Sequence, residues 1–587
     1  MRTVRLAEYG ILPDTDITLS LQELFSKYPE DTEFVFDEGD YFFSPHLQMR
    51  ADYRISNSDR MAYRVMAIWM KEMKNCILRG NNTRLFLEGQ MQVFTLDRCE
   101  NIKIENFTVN WKKPLVAEGV VTACSGETVD VYVDPEKFPH RYANGTLEFD
   151  TGANEWYRII PYTIAFEPHS CRVRRGTDDI QFTQVLELEK DHYRLILTQK
   201  KDIRVGDLLN LRHNMRIHAG IFSEKCRDLT VENVTFYSCG GLGCLAQFCH
   251  NLTYKGVHFV PDRAGGRQVS SGRDDGMHMT SNSGTITITE CTFHALMDDP
   301  INVHGCCVTS NQVVNEKTLR CKYRHKDACG FHYWAEPGDQ VVFISRDTME
   351  PVEEAKVASY VLEDHETFLL TFQEPLSKQV RSMAMQGEAL ALDNLTHTAQ
   401  FICTKNRFGS CRARGILVST PKKVLIADNY FESSGSAILV AGDSNFWFES
   451  GACHDVEITR NIFTDATLTS EYQFCDGVIS ISPVVPAPVI DKPYHTNIRI
   501  TDNVFDTADT PVLYGYSCEG LEFSRNRILK SPSADSWHKG RTAVCLQYCK
   551  KAVVKENEWV GNFGEFEACV LSDCAEVQSD LICNIIK

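Results

Sequence analysis

One short phrase recurs along most of the chain: a small residue or Cys, a polar residue, then Asn, Asp or Gly, followed by apolar, polar, apolar, two polar residues and an apolar pair. It reads Met73-Lys-Asn-Cys-Ile-Leu, Cys99-Glu-Asn-Ile-Lys-Ile-Glu-Asn-Phe, Cys226-Arg-Asp-Leu-Thr-Val-Glu-Asn-Val and Cys249-His-Asn-Leu-Thr-Tyr. After Ser283-Gly-Thr-Ile-Thr-Ile it returns at Pro421, Cys453, His495, Cys518 and Cys549. Adjacent copies begin roughly 23 to 42 residues apart, the spacing at which self-similarity signals a solenoid. Within each copy, apolar and polar residues alternate as in a strand with one buried face, and polar or Gly-bearing turns separate the copies. One copy cannot bury its apolar face alone; stacked copies can. The pattern predicts an all-β chain folded as a right-handed parallel β-helix, each rung hydrogen-bonded to the next around one long apolar interior.

Two intervals, Cys99 to Cys226 and Ser283 to Pro421, are too long for one coil. Both carry alternating strand patterns, such as Thr128-Val-Asp-Val-Tyr-Val and Phe368-Leu-Leu-Thr-Phe. They predict two inserted small β-barrel or sandwich domains of roughly 100 residues each, a size that supports an independent core. The chain then divides into an N-terminal segment with the first coils (1–110), a first inserted domain (111–212), coils carrying the acidic motifs described below (213–305), a second inserted domain (306–400) and C-terminal coils (401–587). Insertions that leave a solenoid overhang one face and wall a cleft there.

Composition narrows the partners more than the fold. A formal charge of −18 argues against nucleic acid and anionic membrane surfaces. No apolar run approaches the ~18 residues needed to cross a bilayer. Among the 23 cysteines there is no CxxC pair, and Cys99, Cys226, Cys249, Cys453, Cys518 and Cys549 share one register of the repeat. That register predicts a ladder of small buried thiols rather than disulfides or a metal site. Unpaired thiols in such number suit a reducing compartment, and the N-terminus lacks the apolar stretch of a signal peptide. The expectation is a cytoplasmic protein, or a secreted or periplasmic one if a leader has been removed.

Against the repeat stand two Asp pairs, Asp274-Asp275 and Asp298-Asp299, about one coil apart. Aligning the six residues from Asp274 with the six from Asp298 puts Asp275 beside Asp299 and His278 beside Asn302, on rungs about 4.8 Å apart. The flanking coils are read as Gly240-Gly241-Leu242 and Gly435-Ser436-Ala437, which confines the carboxylates to two rungs. Crowded like charges are costly, and their repulsion drives their pKa values apart, which acid–base chemistry requires. A lone Asp-Gly would read as a turn. Carboxylate oxygens also suit Ca²⁺, although neither run has the ligand spacing of an EF-hand loop.

Met297-Asp-Asp-Pro-Ile-Asn-Val-His-Gly305, Asp275-Gly-Met-His278, Leu245-Ala-Gln247 and Asn445-Phe-Trp-Phe-Glu-Ser-Gly451 resemble the motifs of glycoside hydrolase family 110, the α-1,3-galactosidases. Ile55-Ser-Asn-Ser-Asp59 looks like a further family segment, and the resemblance runs from about residue 50 onward. It implies a β-helix with inserted β-barrels, and an exo-acting hydrolase that removes a terminal α-1,3-linked galactose with inversion, without a metal or organic cofactor. By the same resemblance Asp275, Asp298 and Asp299 are the catalytic acids. Inversion needs one protonated carboxyl for the leaving oxygen and one ionised carboxyl to activate water. By analogy with other β-helix hydrolases, Asp298 is assigned as general acid, with Asp275 and Asp299 holding the water as base. Neighbouring rungs put equivalent carboxylates near 5 Å, the separation usual for retention, whereas inverting enzymes show ~6.5–9.5 Å. Side-chain direction adds several ångströms, so inversion here is what the resemblance implies.

His278, Asn302 and His304 lie beside the acids as donors to galactose hydroxyls; Asn302 reads equally as a rung of an Asn ladder, and each His as a structural turn residue. Trp447 offers a face for the sugar, with Asp443 and Glu449 to hydrogen-bond it, although Trp also fills cores. Arg273 flanks the cluster and would lower a neighbouring Asp by pairing. The substrate is then a galactose-terminated oligosaccharide, of blood-group B type or linear Gal-α-1,3-Gal. A polygalacturonase-like hydrolase shares the fold and the pattern of one Asp followed by an Asp pair, but it needs basic residues for its uronate, and few Arg or Lys lie beside these motifs. A non-catalytic carbohydrate-binding β-helix would need no stacked acids. The ends of the solenoid offer surfaces for a homodimer.

Overall fold

The computed structural model describes residues 1–586 apart from 59–62, 178, 214, 329–332, 433, 465–471 and 473. Most of its strands stack in parallel, in two long sheets of 22 and 15 strands joined coil by coil into a β-helix. In the smaller sheet one inward row runs Ile221, Cys244, Met277, Ile301, Ile416, Ile438, Ile479, Leu513 and Val544. In the larger sheet a matching row runs Leu229, Leu252, Ile286, Phe401, Val424, Val456, Ile498 and Leu521. Both rows close on one continuous core, into which the N-terminal helix Thr18–Lys27 packs Leu21, Leu24 and Phe25. The alternation within each phrase thus becomes the inside and outside of a coil.

Turn residues stack as regularly as the strands. Asn406, Asn429, Asn461, Asn503 and Asn526 form a buried ladder that ends on the half-buried Asn557, each Nδ2 donating to the next Oδ1 at 2.9–3.0 Å. Beside it, Phe293, Phe408, Phe431, Phe463 and Phe505 stack ring on ring at 4.5–5.3 Å. Cys99, Cys226, Cys249, Cys453, Cys518 and Cys549 are buried and free, and no disulfide occurs among the described residues. Cys226 N–H donates to Cys249 Sγ, Cys249 N–H to Asn282 Oδ1 and Cys453 N–H to His495 Nδ1, so Asn and His take the same turn position as the thiols.

The interval between Ser283 and Pro421 holds one coil more than the phrase suggests. Ala399–Thr404 pairs with Ser283–Thr289 on one side and Val424–Ala427 on the other. The coil is hidden because Thr398-Ala399-Gln400 replaces the Cys–polar–Asn opening of the phrase. What remains of the interval folds as a closed six-stranded barrel, from Val308–Asn315 to Leu390–Asn394, around its own core of residues such as Trp334, Phe343 and Phe368. The other insertion forms a seven-stranded sheet, from Val116–Ser125 to Leu208–Arg212, with a three-stranded sheet at 140–158 and a core around Val131, Phe149 and Leu195.

Candidate active site

The Asp pairs sit in turns that lead into neighbouring strands, Met277–Thr280 and Ile301–Cys306. These strands pair with His278 beside Asn302 and Thr280 beside His304. The register continues back through the turns, where Gly276 N–H donates to the Asp299 carbonyl at 3.0 Å and Met277 N–H to that of Pro300 at 2.8 Å. Asp275 therefore stands beside Asp299, as aligning the motifs predicts. The flanking rungs need correction. Cys244 pairs with Met277, which sets Gly241-Leu242-Gly243 against Asp274-Asp275-Gly276, one residue on from the sequence alignment. Glycine is required there, since a Cβ on Gly243 would stand 2.3 Å from the Gly276 carbonyl oxygen. On the other side Ile301 pairs with Ile416, so the next turn is Ala413-Arg414-Gly415, and Gly435-Ser436-Ala437 lies one rung further. The coil hidden in the sequence carries Arg414 in register with Asp299.

Arg414 is one of three arginines that line the cavity beside the acids, and together they overturn the expectation of a site poor in basic residues. Arg414 donates to Asp299 through its backbone N–H at 2.9 Å and Nη2 at 2.8 Å. Arg412 donates to Asp298 Oδ1 at 3.2 Å and makes two bonds of 2.7 Å to Asp179 of the first insertion. Arg216, on the segment returning from that insertion, lies 3.4 Å from Asp275, 3.7 Å from Asp274 and 3.9 Å from Asp298. Neither Arg216 nor Asp179 belongs to the repeat, so no pattern in the sequence points to them. Asp274 is enclosed by Arg273 at 2.5 Å and Arg212 at 3.6 Å. Burial alone would raise its carboxyl, but Arg273, Arg216 and Arg212 hold it at about 2. Arg273 is buried, lies outside the cavity lining and pairs with Asp274, the neighbouring Asp its place in the sequence points to.

The other three acids divide by exposure. The Asp298 side chain is 25% accessible, against 5% for Asp275 and 4% for Asp299. Burial, then the neighbouring Asp298, push the Asp275 carboxyl well above the usual range, against the pull of Arg216. Burial also pushes Asp299 up to about 8, opposed by Arg414 and reinforced by Asp298 and Asp275.

Behind Asp275, His278 Nδ1 lies 2.8 Å from Asp275 Oδ2, and His278 Nε2 lies 2.9 Å from His304 Nε2. Glu449 reaches the same place because Glu449–Ser450 pairs antiparallel with Gly305–Cys306 at the end of the site strand. Its carboxylate accepts from Asn302 Nδ2 at 3.2 Å and Asn57 Nδ2 at 3.1 Å. Burial would raise Glu449, but the imidazoles of His304 and His278 and these two amides bring it down to about 2. Burial pushes His278 down to about 4 and lowers His304 as well. Both rings are buried and lie outside the cavity lining, so the donors expected to meet sugar hydroxyls stand behind the acids instead. By residue type, His278, His304 and Glu449 are the one metal-like donor set among the described residues. The 2.9 Å between the imidazole nitrogens fits a shared proton better, because two nitrogen ligands of one tetrahedral zinc ion stand roughly 3.3 Å apart.

A cavity of about 410 Å³ opens over the acids, within the range of small-ligand sites. Leu417 and Leu439 give it an apolar patch, and Trp447 and Tyr472 an aromatic one. Trp447 is 36% exposed and its ring lies 4.7 Å from His325 of the barrel. Asp443 accepts the backbone N–H groups of Asn445, Phe446 and Trp447, so it shapes the loop that presents Trp447 rather than offering itself to a sugar. Asn57 adopts φ +52° and is anchored by its N–H on the Asp327 carbonyl at 2.8 Å; Asp59 of the same segment lies outside the described residues. Asn302 is no member of the Asn ladder, and its buried Oδ1, like Arg414 Nε, has no hydrogen-bond partner among the described residues. Six carboxyls line the cavity against three guanidinium groups. Because Asp275 and Asp299 are pushed toward their neutral forms, charge in the cavity is close to balanced, which suits a neutral, hydroxyl-rich ligand. One accessible acid opposite two buried ones can divide proton donation from water activation.

Residues 117–209 match the family GLAA-B beta-barrel domain I, and residues 318–383 match GLAA-B beta-barrel domain II. The chain is 34% identical to alpha-1,3-galactosidase B of Bacteroides thetaiotaomicron, over 96% of this chain and 91% of the relative. It is 32% identical to an alpha-1,3-galactosidase B of Phocaeicola vulgatus, over 92% of each. Among solved structures it is similar to a family 28 exopolygalacturonase of Yersinia enterocolitica, at a TM-score of 0.43 and 9% identity, over 99% of this chain and 78% of that one.

Proposed function

The chain belongs to the α-1,3-galactosidase family, glycoside hydrolase family 110, and from this premise we propose that it removes a terminal α-1,3-linked galactose from an oligosaccharide with inversion at the anomeric carbon. It is a glycoside hydrolase acting on α-1,3-galactosides; the exo mode, the inversion and the residue roles are the proposal. Asp298, the accessible acid, delivers its proton to the glycosidic oxygen as the bond to the anomeric carbon breaks. Asp275 and Asp299 hold a water on the opposite face and take its proton as its oxygen bonds to that carbon. Asn302 Oδ1, Arg414 Nε and Glu449 meet the hydroxyls, and Trp447 covers an apolar ring face. Blood-group B trisaccharide and linear Gal-α-1,3-Gal are the candidate substrates. The observation that carries the reading is the convergence of Asp275, Asp298 and Asp299 in one cavity with unequal exposure.

The test is galactose release from both candidate oligosaccharides, with the anomer of the fresh product followed by NMR. The expected product is β-galactose, and Asp298→Asn abolishes its release. First appearance of α-galactose would overturn inversion, and no release from either sugar would overturn the substrate class.

A further inference from the structure

Asp275 has a second side that the reaction above leaves unused. From its Oδ2 a chain of three contacts runs inward: 2.8 Å to His278 Nδ1, 2.9 Å from His278 Nε2 to His304 Nε2, and 2.7 Å from His304 Nδ1 to the Gly305 carbonyl oxygen. All three distances are hydrogen-bond distances, so each contact contains one proton. The chain ends on a carbonyl, which only accepts. Three protons are therefore needed, whichever way the central contact is directed. An ionised Asp275 with two neutral imidazoles carries only two. The cluster therefore holds one additional proton, on the carboxyl of Asp275 or on one of the two rings.

We propose that His278, braced by His304, is the proton partner of Asp275, and that the Asp275–His278 pair, rather than Asp275 alone, accepts the proton of the attacking water. The inference rests on the reading of Asp275 as a water-binding base. When the water oxygen bonds to the anomeric carbon, its O–H bond breaks and the proton arrives on Asp275 Oδ1. The proton already shared at Oδ2 passes fully to His278 Nδ1. The proton spent by Asp298 leaves on the departing sugar, and solvent carries one proton from the pair back to Asp298, so the cycle balances. The imidazolium formed in this step is faced by Asp275 from its own rung, Asp298 from the next, His304 beside it, Glu449 from the loop, Arg216 from across the cavity and the Asn57 amide, whose Nδ2 lies 3.2 Å from Nε2. Glu449 Oε1 lies 3.6 Å from His304 Nε2, close enough to offset the charge that the rings gain. A buried carboxyl crowded by other acids is a reluctant base, because it holds its own proton too tightly; a partner that takes that proton removes the difficulty.

Two measurements test this on the full chain. NMR of protein labelled with ¹⁵N-histidine, without ligand and assigned with His278→Gln and His304→Gln, reads the protonation of both rings directly. The expected result is a proton on His278 Nε2; a doubly protonated His304 beside a His278 protonated only at Nδ1 would leave Asp275 ionised at rest and accepting the proton alone, and would overturn the proposal. Both rings in the neutral Nδ1–H form would leave only two protons in the chain and overturn the proposal. This outcome is independent of which glycoside the enzyme cleaves, so absence of galactose release by the wild type would count against the substrate class alone. The second measurement is the pH profile of kcat on Gal-α-1,3-Gal. His278→Gln is expected to lower kcat roughly 10²-fold and to move the ascending limb to higher pH, with KM little changed. A lower kcat with the limb unmoved would make His278 a structural residue and overturn the proposal.

Discussion

The Asn ladder of the C-terminal coils and the two acidic rungs occupy the same stack and use it in opposite ways. In the ladder every rung repeats its neighbour: each Asn Nδ2 donates to the next Oδ1, and that Oδ1 also accepts the backbone N–H of the preceding Asn. An amide is donor and acceptor at once, so identical side chains one strand spacing apart satisfy one another. A carboxylate only accepts, so the same stacking leaves Asp275 and Asp299 repelling. They persist because unlike groups are brought to them: Arg414 from the next rung to Asp299, and Arg216 beside the first insertion and His278 behind to Asp275. A solenoid makes a site where its own repeat fails.

The largest effect that would sharpen this contrast is at Asp298. Asp298→Asn is expected to lower kcat roughly 10²–10⁴-fold with its thermal midpoint nearly unchanged, measured by galactose release and calorimetry; retained activity would remove Asp298 from the acid role. At the other pole, Asn461→Ala strips the ladder of an acceptor for Asn429 and a donor to Asn503 and Ile426. It should cost about 1–3 kcal/mol for each buried partner left unsatisfied, seen as a lower urea midpoint with kcat per folded molecule intact. A neutral result there would mean that the ladder contributes nothing beyond packing.

Between these lies a pH effect confined to the acids. The Asp299 carboxyl titrates at about 8 in the folded chain, against roughly 4 when unfolded. The folded state thus keeps a proton that the unfolded state releases. The stability this contributes is complete below pH 4 and is lost as pH rises through 8. Relative to Asp299→Asn, the wild type should lose up to ~1.4 kcal/mol per pH unit between pH 5 and 8. Thermal midpoints at several pH values test it, and a difference that stays constant with pH would place Asp299 with the neutral rungs. The smallest effect is expected at Trp447, where Trp447→Ala should raise KM about tenfold, ~1.4 kcal/mol, and leave kcat nearly unchanged.

How far the sequence could be read varies residue by residue. The rung rows and the pairing of His278 with Asn302 were legible, because alternation and turn residues are local and neighbouring copies align directly. Arg414 was illegible only because Thr398 and Ala399 disguise the coil that carries it. Arg216 and Asp179 leave no trace in any repeat. The inward turn of His278 and His304 was equally hidden, since a residue's register fixes its face but not which neighbour its ring meets.

By itself the sequence determined a stacked β-helix, two insertions and a pair of acidic rungs, for each of these depends on residues within one or two coils of one another. Only the tertiary structure decided which cations, amides and imidazoles surround the acids. Asp179 and Arg412 are 233 residues apart in the chain, and Asn57 and Glu449 are 392 apart. Charge and hydrogen bonding act through space over a few ångströms, and nothing along the chain records which distant segments the fold brings within that range.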